Sequence, residues 1–205
     1  MTTPRISRYR FDNESRRWLD TRSGRVVPAA AIEDEMRQHQ EATFEVLDNA
    51  TEQLYEGRLN IPQWQVVIAL ELKAAHLAQS MFAVGGKANL TPVNYGRVGG
   101  VLADEYRFLN QFAQDIGAGQ VSRAQALARV KQYGRATQQA FWREFAQATP
   151  DTEVIYWELN IAEHCSDCID LATNSPYTAE TIPTFPGAGE TECRGNCKCN
   201  LRRGA

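Results

Sequence analysis

His164-Cys165-Ser166-Asp167-Cys168 and, after 24 intervening residues, Cys193-Arg194-Gly195-Asn196-Cys197-Lys198-Cys199 contain all five cysteines of this 205-residue chain. A disulfide framework is normally spread through a small secreted chain, whereas thiols gathered at one end as C-x2-C and C-x3-C-x-C suit a metal ion. The two thiolates of a C-x2-C pair reach one tetrahedral Zn²⁺ at about 2.3 Å, and a later close pair completes four-coordination. The preferred ligand set is Cys165, Cys168, Cys193 and Cys197. Cys199 is the alternative fourth ligand, because binding both members of a C-x-C pair is sterically tighter, and His164 is an additional candidate. The competing readings are two disulfides with one thiol left over, or an iron–sulfur cluster, though nothing else in the sequence indicates electron transfer. Arg194 and Lys198 are expected to lower the thiol pKa values and offset the charge of a thiolate centre.

The surroundings of the cysteines explain why a metal would matter. Residues 151–205 begin with a strand-like Val154-Ile155-Tyr156-Trp157 and continue through Pro, Gly, Thr and Asn without periodicity. So little apolar content builds no core of its own, and metal binding, of order 10 kcal/mol in small zinc peptides, is free energy that could order the segment. Residues 29–150 instead follow a helical period. Ile32, Met36, Thr43, Leu47 and Leu54 share one face of a first helix ending at Gly57. Asn60-Ile61-Pro62 and Thr91-Pro92 open a second and a third, and Ser122 caps a fourth that runs to Pro150. Four helices of about 25 residues would each be about 37 Å long. The fold class is therefore mainly α: an elongated helical bundle with a small zinc-stapled α+β module at its C-terminus. Residues 1–28 form the remaining part, a basic β-ribbon arm in which aromatic and β-branched residues alternate with Arg and Asp, with turns at Asn13 and Gly24. A ribbon of this size is marginal alone and is expected to dock on the helical body or on a neighbouring subunit.

The formal charge of -3 conceals an uneven distribution. Residues 1–28 hold seven Arg against three acids, and residues 193–205 hold Arg194, Lys198, Arg202 and Arg203 with no acid. The segment between carries 22 acids and 11 bases. Basic ends on an acidic body suit contact with phosphate or an acidic protein surface, and the four C-terminal cations are candidate nucleic-acid contacts. No unbroken apolar run approaches the roughly 20 residues that cross a bilayer, and the N-terminus lacks the apolar centre of a signal peptide, so the expectation is a chain made in a cytoplasm without membrane insertion. Catalytic motifs are missing: there is no G-x-S-x-G, Walker A, H-E-x-x-H or G-x-G-x-x-G sequence. His39 and His76 fall in helical patterns, where core or surface roles suffice.

Taken together, Trp157 to Leu201, with His164-Cys165-Ser-Asp-Cys168, Leu171-Ala172, Pro176-Tyr177-Thr178, Pro183, Pro186-Gly187 and Cys193-Arg-Gly-Asn-Cys197-Lys-Cys199, resembles the C-terminal cysteine module of tailed-phage head morphogenesis proteins, the Mu-type minor head protein group. Gly119-Gln-Val-Ser122, Ala128-Arg129 and Tyr133-Gly134 are similar to the helix before that module, and Arg22-Ser-Gly-Arg25-Val-Val resembles an N-terminal element of related phage chains. The family often has a His three residues before the first Cys of its second half; here Cys193 stands four before Cys197 as the substitute ligand. The resemblance implies a minor virion protein without catalytic residues, made in the host cytoplasm. Its implied role is oligomeric, in head assembly, touching the major capsid protein, the portal or other virion proteins and reaching packaged DNA. The alternative is a nucleic-acid-binding zinc protein.

Overall fold

The computed structural model describes residues 8–12, 14–15 and 17–204, which form two compact units divided after Gly134. Arg5, Asn13 and Arg16 of the basic arm lie outside the described residues. The chain is mainly helical, with small antiparallel sheets.

The first unit opens with β1 (Tyr9–Asp12), β2 (Arg17–Asp20) and β3 (Val26–Val27), an antiparallel sheet in that order, with Phe11 opposite Trp18 and Trp18 opposite Val27. The arm docks on its own unit. The Phe11 N–H donates to Gly85 O at 2.7 Å, just past the end of α2 (Ile61–Val84). Gly85 and Gly86 have φ of +85° and +118°, and a Cβ on Gly86 would lie 2.5 Å from Tyr9 O. Only glycine allows both this backbone and this approach.

The helices α1 (Ala29–Tyr55), α2, α3 (Pro92–Gly117) and α4 (Arg123–Ala136) form the rest of the unit. Asn60 with Gln63, and Thr91 with Asn94, make reciprocal capping boxes, each followed by a proline in the first turn. Leu47, Trp64, Ile68, Leu72, Phe112 and Val130 are buried together. Trp64 donates its indole N–H to Thr51 Oγ1 at 3.1 Å and meets Phe112 edge to face at 5.7 Å. The buried His76 Nε2 lies 2.9 Å from Glu105 Oε2, so this histidine is a partnered core group. Counting unbroken apolar runs underestimated α2, which by length and composition alone could cross a membrane; half of its most apolar window is buried inside the structure, where Trp64, Ile68 and Leu72 join the helical core.

The single fourth helix expected from Ser122 to Pro150 is two helices. At the fully enclosed Thr137 the hydrogen-bond ladder tightens, Ala140 N–H bonding Thr137 O at 3.1 Å in the 3-10 manner, and α5 (Gln138–Gln147) begins. This α5, grouped with the helical body in the sequence reading, belongs to the second unit. There it joins β4 (Val154–Glu158), α6 (Ser166–Thr173) and β5 (Asn200–Gly204), with β4 and β5 antiparallel and Trp157 opposite Leu201. The expected near absence of a core is also corrected: Trp142 and Ala146 of α5 pack with Ile155, Trp157, Ile182, Leu201 and three of the cysteines.

Two substitutions test this packing. Trp64→Ala is expected to cost about 3–5 kcal/mol of stability, measured by chemical denaturation. Gly86→Ala, carrying about 1–3 kcal/mol of backbone strain besides the clash, is expected to free β1 and β2, read as faster tryptic cleavage at Arg10 and Arg17.

Candidate metal centre

Local backbone geometry converts the cysteine spacing into a cluster. Cys165 is the N-cap of α6 and Cys168 its third helical residue, so both thiols emerge from one turn. Cys193 and Cys197 bracket a 3-10 turn, Arg194–Asn196, closed by Asn196 N–H to Cys193 O at 2.9 Å. Arg194 takes the left-handed backbone there, with φ +50°, and Arg135 Nη1 holds the turn through Asn196 Oδ1 at 2.6 Å. Cys199 immediately precedes β5, whose pairing with β4 fixes its position. The strand pair, the helix start and the turn thus deliver five sulfurs to one place.

The arrangement is two triads with a shared member. The sulfurs of Cys165, Cys168 and Cys193 lie within 4.8 Å of one another, as do those of Cys168, Cys197 and Cys199. Cys168 Sγ is 3.7 Å from both Cys193 Sγ and Cys197 Sγ. All five thiols are free, so the disulfide alternative is not what this structure has. A tetrahedral ion with metal–sulfur bonds of about 2.3 Å separates its sulfurs by about 3.8 Å, and 3.7 Å meets that requirement. The five cysteines could therefore hold a metal ion. Cys168, Cys197 and Cys199 are 1%, 5% and 1% exposed, whereas Cys165 and Cys193 are half-buried.

The thiol electrostatics differ from the sequence expectation. Burial, with hydrogen bonding among the thiols, pushes Cys168 far above the ordinary thiol range. Burial also raises Cys193 and Cys197. For Cys165 burial is opposed and outweighed by the backbone N–H groups of Cys168 and Cys193, and its pKa falls. The decisive influences are thus desolvation and the turn amides; the expected lowering by Arg194 and Lys198, both exposed, is not seen at Cys193 or Cys197.

Surrounding groups complete the site. His164 Nδ1 is 3.6 Å from Cys199 Sγ, and His164 Nε2 is 2.6 Å from Asn160 O. Asn160 Nδ2 donates in turn to Lys198 O at 2.6 Å. Thr191 Oγ1 sits 3.2 Å from Cys193 Sγ, and carboxylates of Asp167 and Glu192 lie within 4.8 Å of Cys165 Sγ. Sequence spacing drew attention to His164 but not to Asn160, Asp167, Thr191 or Glu192, which ordinary loop composition does not mark.

The basic C-terminal residues divide. Arg203 lies over the Phe145 ring at 4.4 Å and donates to Thr149 Oγ1 and Phe145 O, both at 3.0 Å. Arg202 pairs with Glu158 and covers Tyr156. Arg194 and Lys198 are exposed beside the cluster. Comparison with protein-family models, curated proteins and solved structures finds no match to this chain.

Burial raises Cys168, Cys193 and Cys197, so each thiolate ligand formed from them on binding releases a proton, and metal affinity rises with pH. Calorimetric titration with zinc in buffers of different ionisation heat is expected to show release of roughly two to four protons per ion. Binding without proton release would contradict a thiolate centre.

Proposed function

We propose that this chain is a structural minor virion protein of a tailed phage, acting in head assembly through protein–protein contacts, with its C-terminal module stapled by zinc. The convergence of Cys165, Cys168, Cys193, Cys197 and Cys199 supports this reading: the same residues carry the sequence resemblance to head morphogenesis proteins. Zinc is favoured over other ions because thiolate-rich closed sites with 3.7 Å sulfur separations suit its tetrahedral preference. In this role the metal orders a surface. The partners are the major capsid protein, the portal or other virion proteins, the chain being oligomeric in the virion and without membrane contact.

Contact with packaged DNA is a second reading, favoured by the exposure of Arg194 and Lys198 on the turn that carries three cysteines. Arg203 is held by Phe145 and Thr149, and the exposed Arg202 is ion-paired with Glu158, which narrows it from four cations to Arg194 and Lys198. The purified chain is expected to co-sediment with assembled heads and to be present in mass spectra of mature virions; absence from both rejects the virion role. Its DNA affinity is expected to fall with salt with a logarithmic slope of about -2, as for two phosphate contacts, rather than about -4. A salt-independent affinity removes the DNA reading.

A further inference from the structure

The five sulfurs gather in one cluster without sharing a single centre. Four thiols on one tetrahedral ion would all be mutual neighbours, about 3.8 Å apart. Among the described residues the thiols instead group as two triangles meeting at Cys168, one with Cys165 and Cys193 and one with Cys197 and Cys199. Each triangle is three corners of a tetrahedron. Cys168 Sγ stands at 3.7 Å from a member of each, and it is the thiol a bridging role requires, since a thiolate has lone pairs enough for two metal ions.

The fourth corner of the second triangle is already oriented. Asn160 O can only accept a hydrogen bond, so His164 Nε2, at 2.6 Å, must carry the proton. In the neutral ring this tautomer places the lone pair on Nδ1, the atom 3.6 Å from Cys199 Sγ. A ring N–H given to a backbone carbonyl while the other nitrogen faces a cysteine is the arrangement that orients a metal-ligating histidine. Asn160 is itself held, donating to Lys198 O between Cys197 and Cys199. On the first triangle the oxygen donors are Asp167 and Glu192, within 4.8 Å of Cys165 Sγ, with Asp167 Oδ2 accepting from Glu192 N–H at 2.8 Å.

We propose that the module holds two zinc ions rather than one, with Cys168 Sγ bridging them, Cys165 and Cys193 binding the first, and Cys197, Cys199 and His164 binding the second. This rests on the zinc-stapled reading of the module and extends it. All five thiols then have a role, and the choice between Cys197 and Cys199 as fourth ligand disappears, because both serve the second ion.

Native mass spectrometry of the full chain, purified with its metal, counts the ions directly. Two zinc ions per chain are expected, falling to one in each of Cys193→Ser, Cys199→Ser and His164→Ala. The histidine variant leaves every thiol in place and so guards against simple collapse of the cluster. One ion in the unsubstituted chain overturns the two-ion centre and leaves the stapled module standing. No ion overturns both. Two ions that persist in all three variants would lie away from these ligands, which also overturns the proposal.

Discussion

Cys168 is the residue on which the second unit converges. Its sulfur belongs to both thiol triads, and the residue is only 1% exposed within the same apolar cluster as Trp142, Ile155, Trp157 and Leu201. Three separate stretches depend on it. The start of α6 presents Cys165 and Cys168, the turn 193–197 folds back against them, and the Cys199 end of β5 is set by pairing with β4. None of these is stable by itself, since an eight-residue helix and a two-stranded sheet are both marginal in water. Close approach of five thiols, three of them buried, is unfavourable if they ionise and of little benefit if they remain protonated. A bound cation turns that crowding into bonding, with proton release as the linked cost.

The first unit stands on different physics. Two of its helices, α2 and α3, start at capping boxes, α2 stops at the left-handed Gly85, and the unit buries a set of Leu, Ile, Trp and Phe side chains. Some polar groups in this core are partnered, as with His76 and Glu105 or Thr43 and Glu71. Burial raises the Glu71 carboxyl, partly offset by the Thr43 hydroxyl. The division of labour follows: one unit folds by apolar burial, the other combines a smaller apolar core with a thiol cluster.

Helix starts were legible because their chemistry is local. Asn60-Ile61-Pro62 and Thr91-Pro92 announced α2 and α3, and the capping geometry matches. The cysteine grouping was legible for the same reason, as C-x2-C spacing constrains reach whatever the surroundings. The break at Thr137 was not, because nothing in the local sequence forbids a continuous helix there and Pro150 was the first strong stop. From that followed the assignment of Trp142 and Phe145 to the helical body, when they pack around β4 and β5. Helix α6 escaped notice because eight residues hold too few turns to display a period. Arg203 illustrates a further limit: a basic residue near a chain end reads as a phosphate contact, but its stacking on Phe145 and bonds to Thr149 and Phe145 O depend on tertiary placement. The two-triad pattern is tertiary for the same reason, since spacing gives reach but not which thiols become neighbours.

On the zinc-stapled reading, a metal-bound thiol cluster, and not apolar packing alone, holds α6 and the turn 193–199 in place. Hydrogen exchange measured by mass spectrometry on the full chain, before and after removal of metal with a chelator under reducing conditions, tests it most directly. Amides of α6 and of residues 191–199 are expected to lose most of their protection while those of α1, α2 and α3 keep theirs. Unchanged protection in α6 and the turn after the metal is gone would contradict it.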